Sequence, residues 1–187
     1  YTDRVTPDLR ASVEKGQWPA ALWDAVEENG LALPLVPEAK GGAGGTWGDA
    51  HVVIRATGRH AVPLPLAETI VAAWLLAESG LDVPAGPLTI APVHHDERLR
   101  LSRAGDGWTL SGTAARVPWG RAARHVVVVA EAEARPHVAL VAAGDYRVTE
   151  DRNLALEPRD TLVFDGAPVS ALAPIGARVP PDAAWFY

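Results

Sequence analysis

The sequence contains no cysteine, which excludes a disulfide framework and thiolate chemistry and suits a reducing, cytoplasmic setting. Lysine occurs only at Lys15 and Lys40 while arginine and alanine are abundant, a bias we attribute to GC-rich codons rather than to function. No apolar run approaches the roughly 20 residues that span a bilayer, and no secretory pattern is visible, so no membrane association is expected. The net charge is −6 and the arginines are scattered among carboxylates, so no nucleic-acid partner is expected either. Ser111 and Ser170 lack the G-x-S-x-G setting of a nucleophile. No H-E-x-x-H pattern is present. The adjacent residues of "HHDE" (94–97) read as a solvated loop, because neighbours in a loop rarely converge on one ion, and no metal site is expected. His51 and His60 flank a helix and read as surface or capping residues.

The glycine-rich stretch "VPEAKGGAGGTWGD" (36–49) is the most conspicuous motif that is there. It fits neither phosphate-loop template. The Walker pattern closes on Gly-Lys-Ser/Thr, and the dinucleotide pattern needs a third glycine where Trp47 stands. With 187 residues the chain can bury a sizeable core. Pro19 opens a helix over about 20–28 that carries Leu22, Trp23 and Val26 on one face and stops at Asn29-Gly30. Thr46 and Asp49, three residues apart, predict a capped start for a second helix that runs to about Gly58. "HAVPLPL" (60–66) is a proline-set connector. A helix over about 66–79 is apolar on nearly every side, which predicts burial.

Beyond "LDVPAGP" (81–87) the hydrophobic period changes from 3.6 to 2. "LTIAPV" (88–93), "RLRLSR" (98–103), "GWTLSG" (107–112), "HVVVVA" (125–130), "HVALVAA" (137–143) and "TLVFDG" (161–166) read as strands. Helices followed by strands predict an α+β chain: an N-terminal helical domain (1–84) and a small antiparallel β-domain (85–178). "PPDAAWFY" (180–187) reads as the start of a further helix, so 179–187 are expected to open another, helical domain and the chain to be a fragment.

These segments, in this order, resemble the acyl-CoA dehydrogenase family. "LWDAVEENGLALPLVPEAKGGAGG" (22–45) is similar to its helix, glycine stop and connecting loop, which makes the glycine stretch a helix connector. "ATGRHAVPLPLAETIVAAWLLAESG" (56–80), "DGWTLSGTAARVPWGRAARHVVVVA" (106–130) and "EPRDTLVFDGAPV" (157–169) are similar to its next helices, middle strands and closing strand. The resemblance implies FAD as cofactor, an acyl-CoA substrate of fatty-acid or steroid side-chain type, and a homo- or hetero-oligomer with another subunit. It also implies α,β-dehydrogenation with the catalytic glutamate outside this stretch, so no catalytic residue is expected here and this chain alone is expected to be inactive. Flavin contacts are implied at Ala91, Val93, Val117, Pro118 and Trp119, and acyl contacts at Glu68, Ile70 and Trp74; on periodicity alone Ile70 and Trp74 read as core. Two departures stand out. "LTIAPVHHDERLRLS" (88–102) lacks the family's Gly-Ser-Asp end, and Arg116-Val117-Pro118-Trp119 stands where members often have Trp-Ile-Thr/Ser. Proline has neither N–H nor hydroxyl, so weak FAD binding by this chain is expected. Two alternatives follow from the same fold: a non-catalytic partner subunit or binding module of a heteromeric flavoprotein, and a flavin-dependent monooxygenase.

Overall fold

The computed structural model describes residues 1–91, 97–133 and 135–179. The chain begins with α1 (Pro7–Glu14) and α2 (Ala20–Glu28), passes through a single 3-10 turn (Glu38–Lys40), and continues into α3 (Trp47–His60) and α4 (Leu66–Glu78). Thr6 caps α1, its side chain accepting from Leu9 N, with Pro7 as first helical residue. Both signals stand in the sequence, yet α1 is not among the helices expected from it. The predicted cap of α3 forms a full capping box: Thr46 accepts from Asp49 N, and Asp49 accepts from Thr46 N at 2.8 Å. Hydrogen bonds from Thr46 N and Thr46 Oγ1 hold the exposed Asp49 carboxyl below its usual range.

The glycine stretch is a tight packing turn. Gly41 takes a left-handed φ of 83° after the 3-10 turn. A Cβ on Gly42 would stand 2.1 Å from the Val36 carbonyl oxygen. The loop folds back on 33–36, with Ala43 N donating to Leu33 O and Gly44 N to Val36 O. Its amide groups are spent on the chain itself.

The strands are β1 (Leu88–Ala91), β2 (Arg100–Ala104), β3 (Gly107–Pro118), β4 (His125–Ala132), β5 (Arg135–Ala142), β6 (Arg147–Thr149), β7 (Arg159–Pro168) and β8 (Ala171–Pro174). They form one sheet in the order β6-β7-β3-β2-β4-β5-β8, with β1 beside β4. The sheet is mixed: β1 and β2 run parallel to β4, and the other pairings are antiparallel. The short β6 and β8 and the parallel pairings go beyond the strand pattern, since three- and four-residue strands carry too little period to read. Both faces are covered. Val126 and Val128 of β4 join a cluster with Leu110, Val117, Leu162 and Phe164. Val127 joins Trp74, Leu75, Leu76 and Leu140 on the α4 side. That is why β4 is a near-continuous valine run rather than an alternation.

α4 is the hinge of the architecture. Nine of its residues are buried, from Leu66 to Leu76. Thr69 latches it to β1, accepting from Leu88 N at 3.0 Å and donating to Leu88 O at 3.2 Å. On its other side Leu66 and Ile70 pack with Leu22, Trp23 and Val26 of α2. The last helical residue is Glu78 and the first strand residue is Leu88, so the change of period falls where the elements change. No helix of the described residues is long and apolar enough to cross a membrane.

Candidate functional site

β3 ends irregularly. Its pairing with β7 slips between Ala114 and Val117, and Arg116 there has a φ of 55°. Trp119, just past the strand, also has a φ of 55°. Non-glycine residues in this region carry strain that the surroundings must hold, and bulges of this kind re-aim side chains. Three bonds hold the turn. Trp119 N donates to Pro158 O at 3.1 Å. Thr89 Oγ1 donates to Pro118 O at 2.6 Å. Tyr146 Oη donates to Gly120 O at 3.2 Å. Burial, reinforced by the charge of Asp160, pushes the Tyr146 phenol up to about 12.

Beneath the turn lies the fully buried carboxylate of Asp160. It accepts from Arg121 N at 2.7 Å, from Arg121 Nε at 2.9 Å and from Asp151 N at 3.2 Å. Arg121 also contacts Glu150 and donates to Asp151 O. One guanidinium thus ties the β3 turn, the root of β7 and the 150–158 segment together, and those hydrogen bonds to Asp160 hold its pKa above the usual arginine value.

Two clefts open on either side of Trp119, which is only 5% exposed. One, of about 530 Å³, lies against α1, α2 and the 85–87 segment, with Trp18, Trp23 and Arg124 in its wall. The other, of about 390 Å³, is bounded by α1, the 57–64 connector, the first turn of α4 and the 155–157 segment. Val13, Trp119 and Leu156 line both. Leu156 is exposed and has a φ of 63°, so the shared wall carries two strained residues. In the second cleft the wall is mainly apolar, with Val62, Leu64 and Ala67 beside one buried acid, Glu68. Burial pushes the Glu68 carboxyl above the usual carboxylate range; its own backbone N–H and the charge of Arg159 oppose this, and Glu157 adds to it.

Of the residues expected at a site, the structure brings Glu68 and Trp119 to one cleft. Ala91 and Val117 are fully buried in the sheet cluster, and Pro118 is buried beside them. Ile70 is fully buried against α2. Trp74 packs in the α4–sheet cluster, edge-on to Trp47 at 5.0 Å. Val93 lies outside the described residues, as do His94, His95 and Asp96 of the "HHDE" stretch and residues 180–187. Glu97 is described, and accepts from Ala115 N at 2.6 Å. No group of metal-ligating side chains occurs among the described residues. Sequence reasoning did not single out Leu156, Val13, Arg121 or Asp160.

Comparison with known proteins places this geometry. Residues 1–82 match the acyl-CoA dehydrogenase, N-terminal domain family. No curated relative matches the sequence. Among solved structures, the G363A variant of the Tcur3481-Tcur3483 steroid ACAD is 31% identical with a TM-score of 0.80, over 92% of this chain and 54% of that one. The ChsE4-ChsE5 complex from Mycobacterium tuberculosis is 24% identical with a TM-score of 0.78, over 98% and 54%. A glutaryl-CoA dehydrogenase from Mycobacterium smegmatis in complex with FADH2 is 20% identical with a TM-score of 0.71, over 97% and 53%. The chain therefore belongs to the acyl-CoA dehydrogenase family, and its helices and mixed sheet are that family's N-terminal and middle domains. It spans about half the length of the structures it matches.

Proposed function

We propose that the chain is part of an FAD-dependent acyl-CoA dehydrogenase, acting as a subunit of an oligomer in the α,β-dehydrogenation of an acyl-CoA thioester. The observation that carries this reading is the mainly apolar cleft between α1, α4 and the Trp119 turn, in a fold shared at a TM-score of 0.80 with a steroid ACAD. In this reading Ala67 and Leu64 wall the acyl group, Trp119 and Leu156 shield it from water, and Glu68 is its polar contact.

In this reading the described residues do not by themselves complete a flavin site. Trp119 offers a ring, but its backbone N–H is spent on Pro158 and the Pro118 carbonyl on Thr89. Pro118 has no N–H to give. This favours, within the same reading, a subunit that walls the acyl group while FAD is held largely by other parts of the assembly. Binding from one wall must still offset the lost freedom of a large cofactor, several kcal/mol or more.

Calorimetric titration separates the two claims. Decyl-CoA, a thioether that cannot be dehydrogenated, should bind the chain saturably, one per chain. No saturable binding of decyl-CoA, with or without a terminal hydroxyl, overturns the acyl reading. FAD, followed by its fluorescence, should not saturate the chain at low micromolar concentration. Stoichiometric, sub-micromolar binding would show that the described turn holds the cofactor after all.

A further inference from the structure

The wall of the second cleft is mainly apolar, with Val13, Val62, Leu64, Ala67 and Trp119 in it, and of the polar side chains that also line it (Arg10, Glu14, Thr57, Glu68 and Glu157) Glu68 is the buried one. Glu68 is 8% exposed. The charged groups nearest it are already committed or stand at the edge. Arg159 donates to Glu157 at 3.1 Å and to Pro158 O at 3.2 Å. Glu157 also accepts from Asn153 at 2.8 Å. Arg10 and Glu14 come from α1, along the same cleft. No ion pair joins Glu68 to any of them among the described residues.

A carboxyl placed this way has a cost that packing does not explain. Ala, Leu or Met at the third position of α4 would serve the helix as well. Beyond its own backbone N–H, Glu68 has no ion-pair partner among the described residues, and burying a polar group that is not fully hydrogen-bonded is unfavourable by roughly 1–3 kcal/mol on protein scales. The first turn of a helix favours a negative charge, yet burial here acts the other way and shifts the carboxyl toward its uncharged form. An uncharged carboxyl both donates and accepts a hydrogen bond. It is therefore suited to a neutral oxygen rather than to a cation.

We infer that Glu68 is a specificity residue that hydrogen-bonds a single hydroxyl or carbonyl oxygen carried on the otherwise apolar acyl group of the substrate. The inference rests on the reading of this cleft as the acyl site and adds the substrate class: acyl thioesters oxygenated away from the thioester, in preference to plain hydrocarbon chains. A site built around a hydrogen bond discriminates against a ligand that lacks the oxygen, because the protein group is then left unpaired. A purely apolar pocket discriminates little in either direction.

The test compares decyl-CoA with 10-hydroxydecyl-CoA by calorimetry on the full chain and on Glu68→Leu and Glu68→Gln. The expected result is about tenfold tighter binding of the hydroxylated probe by the parent chain. Glu68→Leu should bring the two probes within about twofold of each other, and Glu68→Gln, which keeps a donor and an acceptor, should retain a several-fold preference. Thermal melting checks that each variant is folded. Equal binding of the two probes by the parent chain overturns this inference while leaving the acyl reading intact. A preference that survives unchanged in Glu68→Leu also overturns it, since another group must then read the oxygen. Binding of neither probe overturns both readings.

Discussion

Asp160 and Glu68 are both buried carboxyls within the same seam, and they are treated in opposite ways. Asp160, at the root of β7, is fully enclosed and receives the backbone N–H, Nε and Nη2 of Arg121 and the backbone N–H of Asp151. Glu68, in the first turn of α4, borders a cleft and has no ion pair among the described residues. In the proposed reading the difference separates scaffold from site. A carboxylate whose lone pairs are filled by its own chain holds three segments in register and has nothing left to offer a ligand. A carboxyl left open is a standing cost that a ligand can relieve.

The strongest way to break that comparison is at the satisfied carboxylate. Arg121→Met leaves Asp160 buried and unpaired and frees the 150–158 segment, with an expected loss of about 3–5 kcal/mol. Chemical denaturation measures it. A loss under 1 kcal/mol would mean that the network is not the clamp described here.

The open carboxyl should respond with the opposite sign. Glu68→Leu should stabilise the fold by roughly 1–2 kcal/mol near neutral pH, a rise of several degrees in Tm for a chain of this size. The pH dependence follows from linkage. The folded-state pKa of Glu68 is raised by burial, so below the ordinary carboxylate range both states carry the proton and the parent incurs no ionisation penalty. As pH rises, the unfolded chain releases its proton first, and the parent loses stability until the folded-state pKa is passed. The Tm gap between Glu68→Leu and the parent should therefore widen from pH 4 to pH 8. A gap that is constant or narrows would show that Glu68 is charged and solvated in the folded chain.

The smallest effect sharpens the scaffold side. Tyr146→Phe removes the hydroxyl that caps the Gly120 carbonyl and should cost about 1 kcal/mol. If Tyr146 serves the turn and not the cleft, the variant should bind decyl-CoA as the parent does.

Much of the fold is legible in the residues. The capping pair Thr46 and Asp49, the glycine stop after α2, the all-round apolar α4 and the valine run of β4 each carry a local signal that the structure repeats. α1 was legible too, in Thr6 and Pro7, but an eight-residue helix without a buried residue has little period to display it. The site is less legible. Glu68 looks in the sequence like an ordinary acid in a helix's first turn, and Trp119 like one more aromatic after a strand. Nothing local distinguishes Ile70, which is fully buried against α2, from a residue that lines a cleft.

The sequence by itself determined most of the helices and strands and the order in which they come, though not α1, β6 or β8, because backbone propensity, capping and hydrophobic period act over a few residues and short elements carry little of them. Only the tertiary structure decided that β1 lies parallel to β4, and that Arg121 reaches Asp160 and Asp151 across three segments. It alone brought the 155–157 segment to face the first turn of α4. Burial and pairing are properties of what arrives from far along the chain, and they make one carboxyl a clamp and leave the other without an ion pair at the edge of a cleft.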